Sequence, residues 1–288
     1  MNVVRILFLL LLLTAPELTN ATTHTALTVE LAWLRTNMAR LDVVVVDSRE
    51  SHEYAAGHIT GAVSIPVAET FSSGARSDLL ASISEIKELL RTAGVRNDDH
   101  IVLYDNGSFA DAARVFWVFE VYGHEHISIL NNGFEAWVKR GAPISTRSDT
   151  RQRSDYLPSV NPRRLATKLA TRFAMQNDRI VLIDARTEAE YNGQESIASR
   201  HGHIPSARNV PASDLIMGTE PQFRPIDELA DLFGDIPKDK QVITYCNKGK
   251  HAAMAYFTLR SLGYDVSAYD GSWYEWGNDL NLPIAGER

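Results

Sequence analysis

Two tandem α/β modules, each a mainly parallel sheet flanked by helices, follow from three observations. Strand-like apolar runs alternate with helical runs, the chain repeats itself at an offset of about 140 positions, and the longest runs lack polar alternation, as strands buried on both faces require. In chain order, Met1-Asn-Val-Val-Arg5 carries one cation and precedes the apolar stretch Ile6 to Leu13, with small residues Thr19 and Ala21 beyond it. That layout is expected of a secretory leader over residues 1–21, too short to span a bilayer; with no cysteine near the junction, no lipid anchor is expected.

In the first module, residues 22–146, Leu41-Asp-Val-Val-Val-Val-Asp47-Ser-Arg49 predicts a buried strand ending in an acid and an arginine. Glu53-Tyr54 and Gly57-His58-Ile59 follow, then a second strand, Ile101 to Asp105, a helix ending at Gly123, Asn132 to Trp137, and a tail at Pro143. The polar, arginine-rich stretch across residues 147–164, with Pro158 and Pro162, reads as a connector. The second module, residues 165–288, returns each feature: Arg179-Ile-Val-Leu-Ile-Asp184-Ala-Arg186, Glu190-Tyr191, Gly202-His203-Ile204 after eight extra residues, Val242 to Cys246, a helix ending at Gly263, Asp270 to Trp276, and Pro283.

The repeat sorts residues by role. His58 and His203 occupy one repeat position and are read as loop-anchoring histidines; the shared Asp-x-Arg is read as a structural ion pair, with Arg186 also placed to face a ligand at the sheet's C-terminal edge. Where copy two has Cys246, copy one has Asp105, which cannot act as a sulfur nucleophile. The first module is therefore expected to be a silent scaffold covering one side of the pocket.

Cys246 is the only cysteine. It follows the strand-like run Gln241-Val-Ile-Thr-Tyr245 and precedes Asn247-Lys-Gly-Lys-His251 and a helical run from Ala252. A thiol before a helix N-terminus meets N–H groups without internal partners and the positive end of the macrodipole, and Lys248 and Lys250 are expected to lower its pKa further. A buried inert cysteine would not be followed by so polar a loop, so Cys246 is read as a nucleophile. The net charge of −7 argues against nucleic acid as a partner, while the local basic cluster points to a small anionic substrate. A single cysteine excludes an internal disulfide, so stability is expected from two sizeable cores. It also excludes a multi-thiolate metal site; neither metal nor cofactor is expected, and no nucleotide-binding glycine motif is present.

Taken together, the Asp-x-Arg strand ends, the paired Gly-His-Ile turns, the Cys246 loop and Asp270-Gly-Ser-Trp273 resemble the rhodanese family, in its two-domain form with a silent N-terminal and an active C-terminal domain. The resemblance runs from about Thr28 to Pro283. It implies a sulfurtransferase that carries a sulfane sulfur on Cys246 as a persulfide, with thiosulfate as donor and cyanide or a thiol as acceptor. It implies substrate binding by Arg186, Lys248 and Lys250, with backbone N–H groups from Asn247 through Ala252, those of Gly249 and His251 among them, cradling the persulfide. Thiosulfate-using members carry lysine two residues after the cysteine, as here, whereas 3-mercaptopyruvate users carry Cys-Gly-Ser-Gly. Asn247 stands where thiosulfate enzymes commonly have arginine, and Lys250-His251 replaces a Val-Thr pair.

The alternatives are a 3-mercaptopyruvate sulfurtransferase, a non-enzymatic persulfide carrier or sensor, and a cysteine-loop phosphatase of the same fold. The last is disfavoured because Ala252 stands where its phosphate-gripping arginine would be. The expected protein is a monomer, exported to the periplasm or secreted, without a stable membrane anchor.

Overall fold

The computed structural model describes residues 27–148 and 150–286; the expected leader lies outside them. The first module is a five-stranded parallel sheet of β1 (Thr28–Val29), β2 (Val43–Asp47), β3 (Val63–Ser64), β4 (His100–Tyr104) and β5 (Ile127–Leu130), in the order β1-β5-β4-β2-β3. The second repeats it with β6 (Leu165–Ala166), β7 (Ile180–Asp184), β8 (Arg208–Asn209), β9 (Gln241–Tyr245) and β10 (Asp265–Tyr269), in the order β6-β10-β9-β7-β8. The predicted two-module α/β fold is the observed one.

The unbroken valine run of β2 is explained by what lies on its two sides. Val44 and Val46 enter one apolar cluster, Val43 and Val45 another, because successive strand residues point to opposite faces. The clusters also correct the expectation of two cores. One belongs to the first module and one to the second, but the largest lies between them and draws residues from both. At its centre the helices α1 (Ala110–Val121) and α2 (Lys250–Ser261) pack together, with the Phe116 and Phe257 rings edge to face at 4.9 Å. Each helix is buried along nearly its whole length, so each lacks the polar face of a surface helix. Glu120 crosses the interface to accept from the Arg260 guanidinium and the Tyr256 hydroxyl. The modules are thus halves of one hydrophobic body.

The connector runs against the first module and ends on the second, where Arg163 pairs with Asp265 at 3.1 Å. Arg91 Nε donates to the Tyr156 carbonyl at 2.9 Å, and the fully buried Tyr156 ring stacks on His124. No helix among the described residues is long and apolar enough to cross a membrane.

Candidate active site

The Cys246 loop begins where β9 ends, at the C-terminal edge of the central strand, where parallel α/β sheets place their ligands. Gly249, with φ of 96°, turns the chain into α2 and donates its N–H to Cys246 Sγ at 3.1 Å. A side chain there would be strained by that φ. The loop is clamped from the far side: Trp273 N–H donates to the Cys246 carbonyl at 2.8 Å, Tyr274 N–H to the Asn247 carbonyl at 3.1 Å, and Cys246 N–H to Ser272 Oγ at 3.3 Å.

Cys246 is only 2% exposed, yet it forms part of the wall of a cleft of about 720 Å³. The lowered thiol pKa expected from the sequence is not found: burial holds the thiol above its ordinary value, and the backbone N–H groups of Ala252, Gly249, Lys248 and His251 offset only part of the rise. The donors expected from the helix N-terminus are therefore in place. The lysines expected beside them are turned elsewhere. Lys248 Nζ lies over the Tyr274 ring at 4.5 Å and Lys250 Nζ pairs with Asp111 at 2.7 Å, the latter from the first module. Both nonetheless line the cleft, together with Asn247 and His251. Burial holds the His251 imidazole below its ordinary value even though solvent reaches part of its surface. The first module closes the opposite wall with Phe71, Ala75, Ser77 and Asp78.

Arg186 is not brought to the cleft wall. Fully buried, it grips Asp184 through Nε at 3.0 Å and Nη2 at 2.6 Å, donates to the Gly202 carbonyl, and lies 4.3 Å from the Trp273 ring centre. Arg49 does the same in the first module, on Asp47 and the Gly57 carbonyl, so the shared ion pair braces both copies. His58 and His203 also match: each Nδ1 donates to the carbonyl of the tyrosine on which its ring stacks, Tyr54 and Tyr191. Asn247 behaves likewise. Its amide donates to Glu190 Oε1 at 2.5 Å, as that of Asn106 does to Glu53 at 2.7 Å, so this asparagine anchors the loop in both copies alike.

One residue near the cysteine, Arg114, escaped sequence reasoning, and its partner Asp270 was read only as part of a shared motif. Arg114, 1% exposed in α1 of the first module, pairs with Asp270 at 3.1 Å and lies over the Phe71 and Trp117 rings. Asp270 in turn accepts the Leu80 N–H at 2.6 Å. The available signal was an isolated arginine inside the apolar run Ala112-Ala-Arg-Val-Phe-Trp117, where an unpaired charge is costly.

In the first module, the buried Asp105 carboxylate accepts N–H bonds from Gly107 at 2.8 Å, Phe109 at 3.1 Å, Asp111 at 3.2 Å and Ala112 at 3.3 Å, with the Ser108 hydroxyl adding another. Burial pushes this carboxyl up and the N–H donors oppose it. The loop after β4 is thus an anion cradle filled by its own side chain; after β9 the Gly249 N–H donates to sulfur, and the N–H groups of Ala252, Lys248 and His251 favour its charged form.

Comparison with known proteins agrees with the two-module fold. The family model for the rhodanese-like domain matches residues 30–140 and again 166–279. A thiosulfate sulfurtransferase of Corynebacterium glutamicum is 32% identical over 277 residues, covering 91% of each chain. A sulfur carrier protein of Thermus thermophilus, TtuD, is 30% identical over 279 residues, covering 91% of this chain and 97% of its own. Among solved structures, the 3-mercaptopyruvate sulfotransferase SseA of Escherichia coli superposes with a TM-score of 0.78 at 26% identity, over 86% of this chain and 99% of that one.

Proposed function

The chain belongs to the rhodanese-like family, and from that membership we propose that it is a thiosulfate sulfurtransferase working through a persulfide on Cys246. The observation that carries the reading is the Gly249 N–H donating to Sγ at the start of α2, with the neighbouring backbone N–H groups favouring the charged form, set beside the ring of N–H donors around the Asp105 carboxylate in the other copy. A loop that holds an anion in one copy is built to hold a thiolate, and then a persulfide, in the other.

In the first half-reaction the Cys246 thiolate attacks the outer sulfur of thiosulfate. The sulfur–sulfur bond of the donor breaks, its electron pair leaves with sulfite, and the cysteine carries a terminal persulfide anion. Lys248 and Lys250, on the cleft wall, meet the sulfonate oxygens as they take up charge. In the second half-reaction cyanide or a thiol attacks the outer sulfur and the thiolate is restored. The cycle requires no cofactor.

Intact mass after incubation with thiosulfate tests this: the protein gains one sulfur, cyanide removes it with release of thiocyanate, and Cys246→Ser gains nothing. A Cys246→Ser protein that loads sulfur refutes the reading. The relative named as a sulfur carrier favours a second reading, in which a protein takes the sulfur. A carrier loads once and stops with small acceptors, so multiple turnovers with cyanide separate the two. Cys-Asn-Lys-Gly in the loop favours thiosulfate over 3-mercaptopyruvate, and rates with the two donors at equal concentration decide it. Export is proposed on the apolar leader alone, and cleavage after Ala21 is its test.

A further inference from the structure

We propose that Arg114, supplied by the module that has no nucleophile, is the fixed positive charge that sets the ionisation of Cys246 and therefore the neutral-pH reactivity of the active loop. The inference rests on Cys246 being the nucleophile, as proposed above. Arg114 Nη1 presses against the loop from behind: a Cβ added to Gly249 would come within 2.5 Å of it, and the Gly249 N–H is the one that donates to Sγ. One loop residue therefore separates guanidinium from sulfur, in a place shut off from water.

Other charges face the loop less effectively. Lys248 is exposed over Tyr274, and Lys250 is answered by Asp111. Asp78 borders the cleft and is held by Arg76; Glu190 is occupied by Asn247; Asp184 and Arg186 beneath the loop neutralise each other; His251 stands at the rim. Solvent screens the charges at the surface, whereas a buried charge acts through a medium of low polarisability. A guanidinium is also the cation that keeps its proton when desolvated.

Arg114 is held in an unusual way for such a role. Asp270 takes Nη1 only, and Nε and Nη2 have no hydrogen-bond partner among the described residues. The guanidinium is instead stacked between Phe71 and Trp117, at 4.4 and 4.5 Å from the ring centres. Part of its charge is thus left uncancelled beside the sulfur. Burial pushes the Arg114 guanidinium down from its ordinary value, and Asp270 first and then the nearby Cys246 act to keep its proton in place. Helix position reinforces the argument. Arg114 is the fifth residue of α1, and the fifth residue of α2 is Met254, so only the cysteine-bearing loop receives a guanidinium from its neighbour.

The test is the pH dependence of Cys246 alkylation by iodoacetamide, which requires no sulfur transfer. Arg114→Gln raises the midpoint by about one unit, slowing alkylation about tenfold at a fixed pH below it, and Arg114→Lys restores most of the loss. Asp270→Asn, which frees the guanidinium, lowers the midpoint. A natively folded Arg114→Gln protein with the wild-type midpoint overturns the inference. Should that variant fail to fold, an unchanged or raised midpoint in Asp270→Asn overturns it equally. Wild-type protein that alkylates normally but never loads sulfur from thiosulfate refutes the proposed function and leaves this inference standing.

Discussion

The loops after β4 and β9 share a scaffold and differ in one decisive side chain. Both end a central buried strand, both enter a long buried helix, and both are pinned by an asparagine to a glutamate and underpinned by an Asp-x-Arg pair. In one, a carboxylate folds inward and accepts from four backbone N–H groups, so the cradle satisfies itself. In the other, a thiol occupies the focus, and sulfur can accept a further atom while keeping the same donors. A carboxylate in this cradle finishes the loop as structure, whereas a thiolate leaves it open to chemistry.

The most severe break in this comparison is at the focus itself. Cys246→Ser lowers sulfur transfer at least about a thousandfold, because a hydroxyl at neutral pH is neither ionised nor able to carry a sulfane sulfur; thiocyanate formation measures it. Asp105→Ala has the opposite signature. Activity per folded molecule stays near wild type, while stability falls by about 2–4 kcal/mol because buried N–H groups lose their acceptor; urea unfolding followed by fluorescence reads the loss. A large loss of activity with unchanged stability would mean that the silent loop takes part in chemistry.

Acid sharpens the comparison where the connector's Tyr156 stacks on His124 of the first module. Burial holds His124 at about 4, where the unfolded chain titrates near 6.5. The unfolded state then binds the extra proton, so stability is whole above about pH 6.5 and declines as pH falls towards 4. The decline is roughly 3 kcal/mol, and His124→Gln flattens it in unfolding curves taken across that window. The smallest effect concerns the paired asparagines. Asn106→Ala and Asn247→Ala each cost about 1 kcal/mol, and Asn247→Ala leaves KM for thiosulfate within about twofold. A much larger rise in KM would show that Asn247 touches the donor.

Much of this was legible in the residue order. Unbroken valine and isoleucine runs marked strands buried on both faces, the repeat set the Asp105 copy beside the Cys246 copy, and a lone cysteine before a basic helix start marked the candidate nucleophile. Positions shared by the copies, His58 with His203 and Asp47–Arg49 with Asp184–Arg186, were separable from chemistry because a contact needed twice serves the fold. The same logic extends to Asn247, whose partner Asn106 also follows directly after the loop's focal residue.

What residue order determined, then, was every contact made within a short stretch or repeated in both copies, since strand burial, capping and turn geometry act over a few residues. What only the tertiary structure decided were the contacts between copies. Arg114 reaches Asp270 across 156 positions, Lys250 turns from the thiol to Asp111, and the main core belongs to neither module alone. The physical reason is that the strength of a charge depends on whether water surrounds it. Lysines beside the cysteine in sequence lie towards solvent, whereas an arginine far along the chain is carried into the dry interface by the helix that holds it.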